Sequence, residues 1–257
     1  MYDDFTFRGR HVREFGGMAF LGDGFAVGDK VQRPEYALPG GGSVIIGSAK
    51  HGTISRAVEI LPMDGVSDTP AWRRRLLSWL YAGRGFLVWD HDPTVRMTAQ
   101  FDQEGSGGTK ISPIGGVSAR ATVFGVCEDA VPTVLSGNTA AENGVNAIEF
   151  LWNAGSAIRS PLTVTIRPLD GNMTSAAVET PAGTLSLASM LIQPEGTLTV
   201  SGEDGDLPAQ VLENGILTFA HVRSWRDLSA APGQEIKVTT SAPAFVTVTG
   251  RGKWIVG

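Results

Sequence analysis

Apolar and polar side chains alternate with a period of two along much of this chain. Val95, Met97, Ala99 and Phe101 are separated by Arg96, Thr98 and Gln100, which puts the apolar set on one face of an extended strand. Leu162, Val164 and Ile166 alternate with Thr163, Thr165 and Arg167, and Ile236 and Val238 with Lys237 and Thr239; both segments read as strands. Shorter strands are expected at 197–200, 216–219, 245–249 and 254–256, and longer ones at 117–126 and 145–152.

The period changes to that of a helix in one place. Asp68-Thr69-Pro70 offers a capping side chain followed by a proline near the first helical position, where its missing N–H costs nothing. Trp72, Leu76, Leu77, Trp79 and Leu80 then form one apolar stripe, with Gly83 as the stop. Arg73, Arg74 and Arg75 fall on its flank. Three arginines in a row could hold a phosphate, but in an acidic protein a solvated flank or a subunit contact is the better reading.

Composition supports a chain of many short strands. The 33 glycines and 14 prolines are dispersed rather than gathered in one tract, and 42% hydrophobic against 18% charged residues is a folded composition. Turn residues concentrate at Glu128–Pro132 and at Leu135–Thr139, so two domains are expected, 1–135 and 136–257. The first carries the helix and long strands. The second, with Pro/Gly turns at intervals, reads as a β-sandwich.

Charge and cysteine content remove whole classes of function. With 21 Lys+Arg against 26 Asp+Glu the net charge is -5, no footprint for a nucleic-acid backbone. Cys127 is the single cysteine, so neither an intrachain disulfide nor a cysteine-built zinc site is expected. The opening Met1-Tyr2-Asp3-Asp4-Phe5 lacks a signal-peptide pattern and no apolar run is long enough to span a bilayer, so a soluble protein without membrane insertion is expected.

Candidate chemistry is sparse. His11, His51, His91 and His221 show no metal-ligand spacing. Trp89-Asp90-His91-Asp92-Pro93 gathers three ligand-type side chains, yet such a run between two strands is also what a tight turn requires, and the turn is expected. Leu38-Pro39-Gly40-Gly41-Gly42-Ser43 lacks the lysine and following helix of a phosphate loop, and Glu203-Asp204-Gly205-Asp206 lacks the rest of a calcium loop. Trp152, Trp225 and Trp254 could stack on sugar or fill a core. No catalytic residue, cofactor site or metal site is assigned.

The order of several short motifs resembles the distal tail proteins of long-tailed, non-contractile bacteriophages. Phe5-Thr6-Phe7-Arg8-Gly9 before Phe15-Gly16-Gly17 is similar to that family's F-x-F-N-G opening, with Arg8 in place of the usual Asn. Leu38-Pro39-Gly40-Gly41-Gly42 is similar to its V-P-G-x-x-G turn, and Leu76–Leu80 followed by Gly85–Pro93 to its W-L helix and acidic turn. Asn153-Ala154-Gly155 with Pro161–Val164, and later Asp227-Leu228, Pro232-Gly233, Phe245–Thr249 and Lys253-Trp254, resemble the family's galectin-like sandwich; Trp225-Arg226 replaces its Phe-Pro.

The resemblance implies a mainly β protein, with an N-terminal β-rich ring-forming domain that has one α-helix and a C-terminal galectin-like β-sandwich. It implies a structural component of a tail tip, assembled in the host cytoplasm and located at the distal end of the virion tail. There it forms a hexameric ring joining the tail tube protein to a tail-tip or tail-associated hub protein, and catalyses nothing. A receptor-binding protein or a host cell-surface glycan are further partners it suggests. Such a ring needs two different surfaces per subunit; these are expected in 1–135, with Phe5, Phe7 and Phe15 at the contact. The alternative is a carbohydrate-binding or adhesin-type sandwich module.

Overall fold

The computed structural model describes residues 3–21, 31–32, 35–37, 43–45, 50–51, 54–103, 115–142, 145–156, 158–204 and 208–254. The chain divides into two compact units, Met1–Ala130 and Val131–Trp254. It is mainly β, as the alternating pattern requires, with one α-helix among the described residues.

The first unit is built on one antiparallel sheet. Its strands run in the order Arg10–His11, Phe5–Phe7, Gly85–Trp89, Asp92–Gln103, Val117–Asp129, Ile54–Pro62, Gly17–Leu21. The alternation read at Val95–Phe101 holds from Met97 onward, with Met97 packed on the core and Ala99 and Phe101 buried; a register shift between Arg96 and Thr98 interrupts it before that. Two short ladders, Val31–Gln32 with Lys50–His51 and Glu35–Ala37 with Ser43–Ile45, come between Gly17–Leu21 and Ile54–Pro62 in sequence.

Helix α1 spans Pro70–Leu80. Thr69 is its N-cap, accepting from the Trp72 N–H at 3.2 Å, and proline occupies the first turn. Trp72, Leu76, Trp79 and Leu80 are buried, so the apolar stripe faces the core. Asp68 ties the helix start to the sheet. Its carboxylate takes the Arg73 Nε–H at 2.6 Å and the Gly116 N–H at 3.0 Å, just before the strand Val117–Asp129. Gly116 has φ +88°, and a Cβ there would sit 2.3 Å from the Ile60 carbonyl oxygen. Only glycine meets both conditions.

The second unit pairs two antiparallel sheets around one core. One runs Thr133–Asn138, Ala244–Gly250, Ser160–Pro168, Leu198–Ser201, Gln210–Glu213, Ile216–Leu217; the other runs Ala140–Glu142, Val145–Trp152, Gln234–Thr240, Met173–Thr180, Gly183–Ile192, Val222–Ser224. Inward residues of both, among them Leu162, Val164, Ile166, Val178, Leu185, Ile236, Val238, Val246 and Val248, form a single buried cluster. This is a β-sandwich.

The expected break between residues 135 and 136 would cut a strand. Thr133–Asn138 pairs with Ala244–Gly250 through six residue pairs, so Leu135-Ser136-Gly137-Asn138 belongs to the sandwich and is no linker. Gly137 supplies room there: a Cβ would lie 2.6 Å from Ile148 Cδ1. The expected strand at 216–219 is shorter, Ile216–Leu217, and that at 254–256 is seen as Lys253–Trp254, its last two residues lying outside the described ones.

Candidate functional site

The Phe-x-Phe opening lies in the middle of the first unit's core. Phe5 pairs with Trp89 and Phe7 with Leu87 across the sheet. Phe5 and Phe7 are 0% exposed and Phe15 is 5%. The rings form a column: Phe101 on Phe5 at 5.3 Å, Phe5 on Trp79 at 5.8 Å, Trp79 on Phe15 at 4.2 Å, each pair near parallel. The Arg10 guanidinium lies 4.3 Å from the centroid of Phe15, a cation over a π face. The indoles are also hydrogen-bonded, Trp79 Nε1–H to the Phe7 carbonyl and Trp72 Nε1–H to the Phe15 carbonyl.

This corrects one expectation. Phe5, Phe7 and Phe15 were assigned to an oligomer contact, but a side chain with almost no accessible surface in its own chain has none to offer a neighbour. The alternation that marks Phe5 and Phe7 as buried does not distinguish burial in the subunit from burial between subunits.

Beside the column, residues far apart in sequence meet around the dipeptide Asp3-Asp4. Both acids are buried. Asp4 Oδ1 accepts the Ala19 N–H at 2.9 Å and Oδ2 accepts Arg13 Nε–H at 2.5 Å; the Asp3 N–H donates to the Ala19 carbonyl at 3.0 Å. Ala19 lies on Gly17–Leu21, the last strand of the sheet order, whereas Asp3-Asp4 leads into Phe5–Phe7 near the first. The dipeptide therefore ties together the two ends of that order. On its other side the Asp4 carbonyl accepts the Asp90 N–H at 2.9 Å, and Asp3 Oδ2 meets His91 Nδ1 at 2.5 Å.

His11 completes the cluster. It is the N-cap of a short 3-10 turn, Val12–Phe15: its Nδ1 accepts the Arg13 N–H at 3.2 Å, while Glu14 reaches back to the His11 N–H. With Nδ1 acting as acceptor, Nε2 faces Asp90 and lies 3.1 and 3.2 Å from its two oxygens. Glu14 is held below the usual carboxylate range by its bonds to the His11 N–H and to Arg10.

Asp4, His11 and Asp90 have ligand-type atoms within 4.8 Å of one another, the geometry of a possible cation site. Each of the three is engaged within the protein: Asp4 with the Ala19 N–H and Arg13, and His11 with the Arg13 N–H and Asp90. The arrangement is a latch of mutually engaged polar groups. Asp92 Oδ1 accepts from both the N–H and the hydroxyl of Thr94, so the Trp89–Pro93 run is the turn its composition predicts.

Other sequence candidates fall elsewhere. Arg73 is engaged with Asp68, which that guanidinium holds below the ordinary carboxylate range; Arg74 and Arg75 point outward. Cys127 is buried, and burial pushes its thiol up, away from nucleophilic use. Asp204 accepts from Lys253 Nζ at 2.9 Å, while 205–207 and the glycine run 38–42 lie outside the described residues.

The three tryptophans of the second unit do not assemble a stacking platform. Trp152 is fully buried, Trp225 is half-buried against the sandwich core and Trp254 is partly exposed. The outer face of one sheet carries a shallow trough of about 350 Å³ lined by small and hydroxyl side chains, Ser175, Ala177, Ser186, Thr239 and Ser241 among them, without an aromatic ring. Ile216, Leu217 and Phe219 project from a hairpin turned by Asn214-Gly215, both at positive φ.

Sequence reasoning missed the latch because its partners are 79 and 88 residues apart, His11 with Asp90 and His91 with Asp3. Only the strand register brings them together.

No protein-family model matches the sequence, and none of the curated proteins is similar to it in sequence. Comparison of folds does find relatives. The chain is similar to the crystal structure of the Dit protein (gp 19.1) of phage SPP1, described as a paradigm of the hub adsorption apparatus in phages that infect Gram-positive bacteria. The match covers 97% of this chain and 98% of that one, with a TM-score of 0.64 and 11% identity. A chain of the phage P2 baseplate, in its activated conformation with Ca, aligns over 98% of this chain and 99% of its own with a TM-score of 0.47 and 10% identity. At 11% identity, the likeness to the SPP1 protein is one of fold: this chain has the two-unit, mainly β fold of that Dit protein.

Proposed function

We propose that the chain is a structural component of the tail tip of a long-tailed, non-contractile bacteriophage. In this reading it forms a ring, with six subunits, that joins the tail tube protein to a tail-tip or hub protein at the distal end of the virion tail, and it catalyses no reaction. One observation carries the reading: the fold of the SPP1 Dit protein is matched from end to end rather than in one unit. The order of the sequence motifs supports it independently. The first unit makes the ring contacts, and the second is the galectin-like sandwich, available for tail-tip or receptor-binding proteins or for a host glycan.

The molecule's chemistry is consistent with such a role. Its buried polar groups are spent on holding strands together, as at Asp3-Asp4, and its output would be the geometry of surfaces. A ring closes through heterologous contacts, one face of each subunit on a different face of the next. Light scattering across a concentration series, with negative-stain imaging of the largest species, tests the proposal. Six-fold rings are expected. A monomer at every concentration overturns it.

A further inference from the structure

The outward stripe of α1 is Ala71, Arg74, Arg75 and Ser78, spaced i, i+3, i+4, i+7, and all four are exposed. It contains no large apolar side chain. The two arginines lack a carboxylate partner among the described residues. Arg73, their neighbour, has Asp68. Among the described residues Arg75 Nη2 reaches only the Glu14 carbonyl, at 3.4 Å, and the guanidinium carbon lies 5.6 Å from the centroid of the Phe15 ring. The Glu14 carboxylate is already taken by Arg10 Nε at 3.0 Å and by the His11 N–H. Arg74 touches no polar partner among the described residues.

This uncompensated pair of cations belongs to a chain with 26 acids against 21 bases. Asp64 and Asp102, in the same unit, are exposed carboxylates with no cation partner among the described residues. Asp102 accepts only from the neutral Gln100 amide, at 3.0 Å; a subunit with cations that face no described carboxylate on one side and carboxylates that face no described cation elsewhere has the complementarity that a head-to-tail contact uses. The small side chains at 71 and 78, on either side of the arginines, let another surface approach the helix closely.

We propose that the Arg74/Arg75 face of α1 docks on a carboxylate-bearing surface of a second copy of this chain. The inference rests on the ring reading and deepens it by naming one of the two faces involved. Carboxylates of the neighbour would replace water around the two guanidinium groups, and the paired charges would fix the orientation of the contact more than its strength.

The full-length protein, Arg74→Glu/Arg75→Glu and Arg74→Glu alone are compared by light scattering over a concentration series at about 50 and about 500 mM salt. Arg74 makes no polar contact among the described residues, so the single variant separates the test from folding; thermal melts check both variants. Charge reversal is expected to raise the concentration at which the oligomer half-dissociates by about tenfold or more at low salt, with unchanged melting at concentrations where every protein is dissociated, and high salt is expected to narrow the gap. Half-dissociation of both variants at the wild-type concentration overturns the proposal while leaving the ring intact. If they also lose wild-type retention on a duplex-DNA column, the arginines belong to nucleic acid instead. A wild-type chain that is monomeric throughout overturns both the ring and this contact.

Discussion

Replacing Asp4 by alanine should loosen the first unit more than its position near the start of the chain suggests. The Asp4 side chain is 0% exposed, and its Oδ1 is the acceptor for the Ala19 N–H at 2.9 Å. Alanine leaves that N–H buried without a partner, at about 1–3 kcal/mol. The Arg13 contact adds less, about 1 kcal/mol or under, because the Arg13 side chain is 51% exposed and recovers water. The total is about 1–4 kcal/mol, or roughly 3–12 °C in the melting of a unit this size. Asp4→Asn keeps an acceptor for Ala19 but turns its NH2 toward Arg13, so it gives up the charge and the Arg13 bond and should cost about 1 kcal/mol.

Calorimetry of the two variants gives the stabilities, and amide hydrogen exchange at Ala19 gives the local effect. Protection at Ala19 is expected to fall in Asp4→Ala and to persist in Asp4→Asn. An Asp4→Ala protein that melts within about 1 °C of wild type, with Ala19 still protected, would show that the dipeptide does not hold the sheet's ends together.

Three further outcomes are expected. Asp68 is held below its ordinary value by Arg73 and the Gly116 N–H, so its contribution is fully present above the ordinary carboxylate range and is lost as pH falls through the lowered folded value; a melting curve against pH should be flatter on its acid side in Asp68→Asn, and an unchanged acid limb would contradict this. Gly116→Ala forces a Cβ to 2.3 Å from the Ile60 carbonyl oxygen at φ +88°, and should cost about 3 kcal/mol or more by thermal melting. Phe7→Ala removes a fully buried ring and should cost about 3–5 kcal/mol, with a loss of melting temperature that does not depend on protein concentration; dependence on concentration would return Phe7 to a subunit contact.

How much of this was readable in advance depends on the distance over which each feature is decided. Helix α1 was legible because its signals are local: Thr69 caps it, Pro70 fits the first turn, and Trp72, Leu76, Trp79 and Leu80 are a single stripe. The strand Ser160–Pro168 was legible for the same reason, its alternation surviving as alternating burial. Leu135–Asn138 misled because Ser, Gly and Asn favour turns in isolation, whereas here Gly137 answers to the Ile148 side chain on another strand. Phe5, Phe7 and Phe15 were expected at a subunit contact, whereas their rings pack inside the first unit. The latch around Asp3-Asp4 left no local trace, since each of its contacts is made by register.

Phe5 is paired with Trp89 in the finished sheet, a fact with a bearing on synthesis. At the ordinary pace of about 5–20 residues per second, the ribosome needs roughly 4–17 s to reach the strand that covers Phe5 and Phe7. For that interval two large rings on a nascent polypeptide have no permanent shelter. Chaperones that hold extended apolar segments would find their ligand here, and the yield of folded chain would then depend on how well that wait is policed.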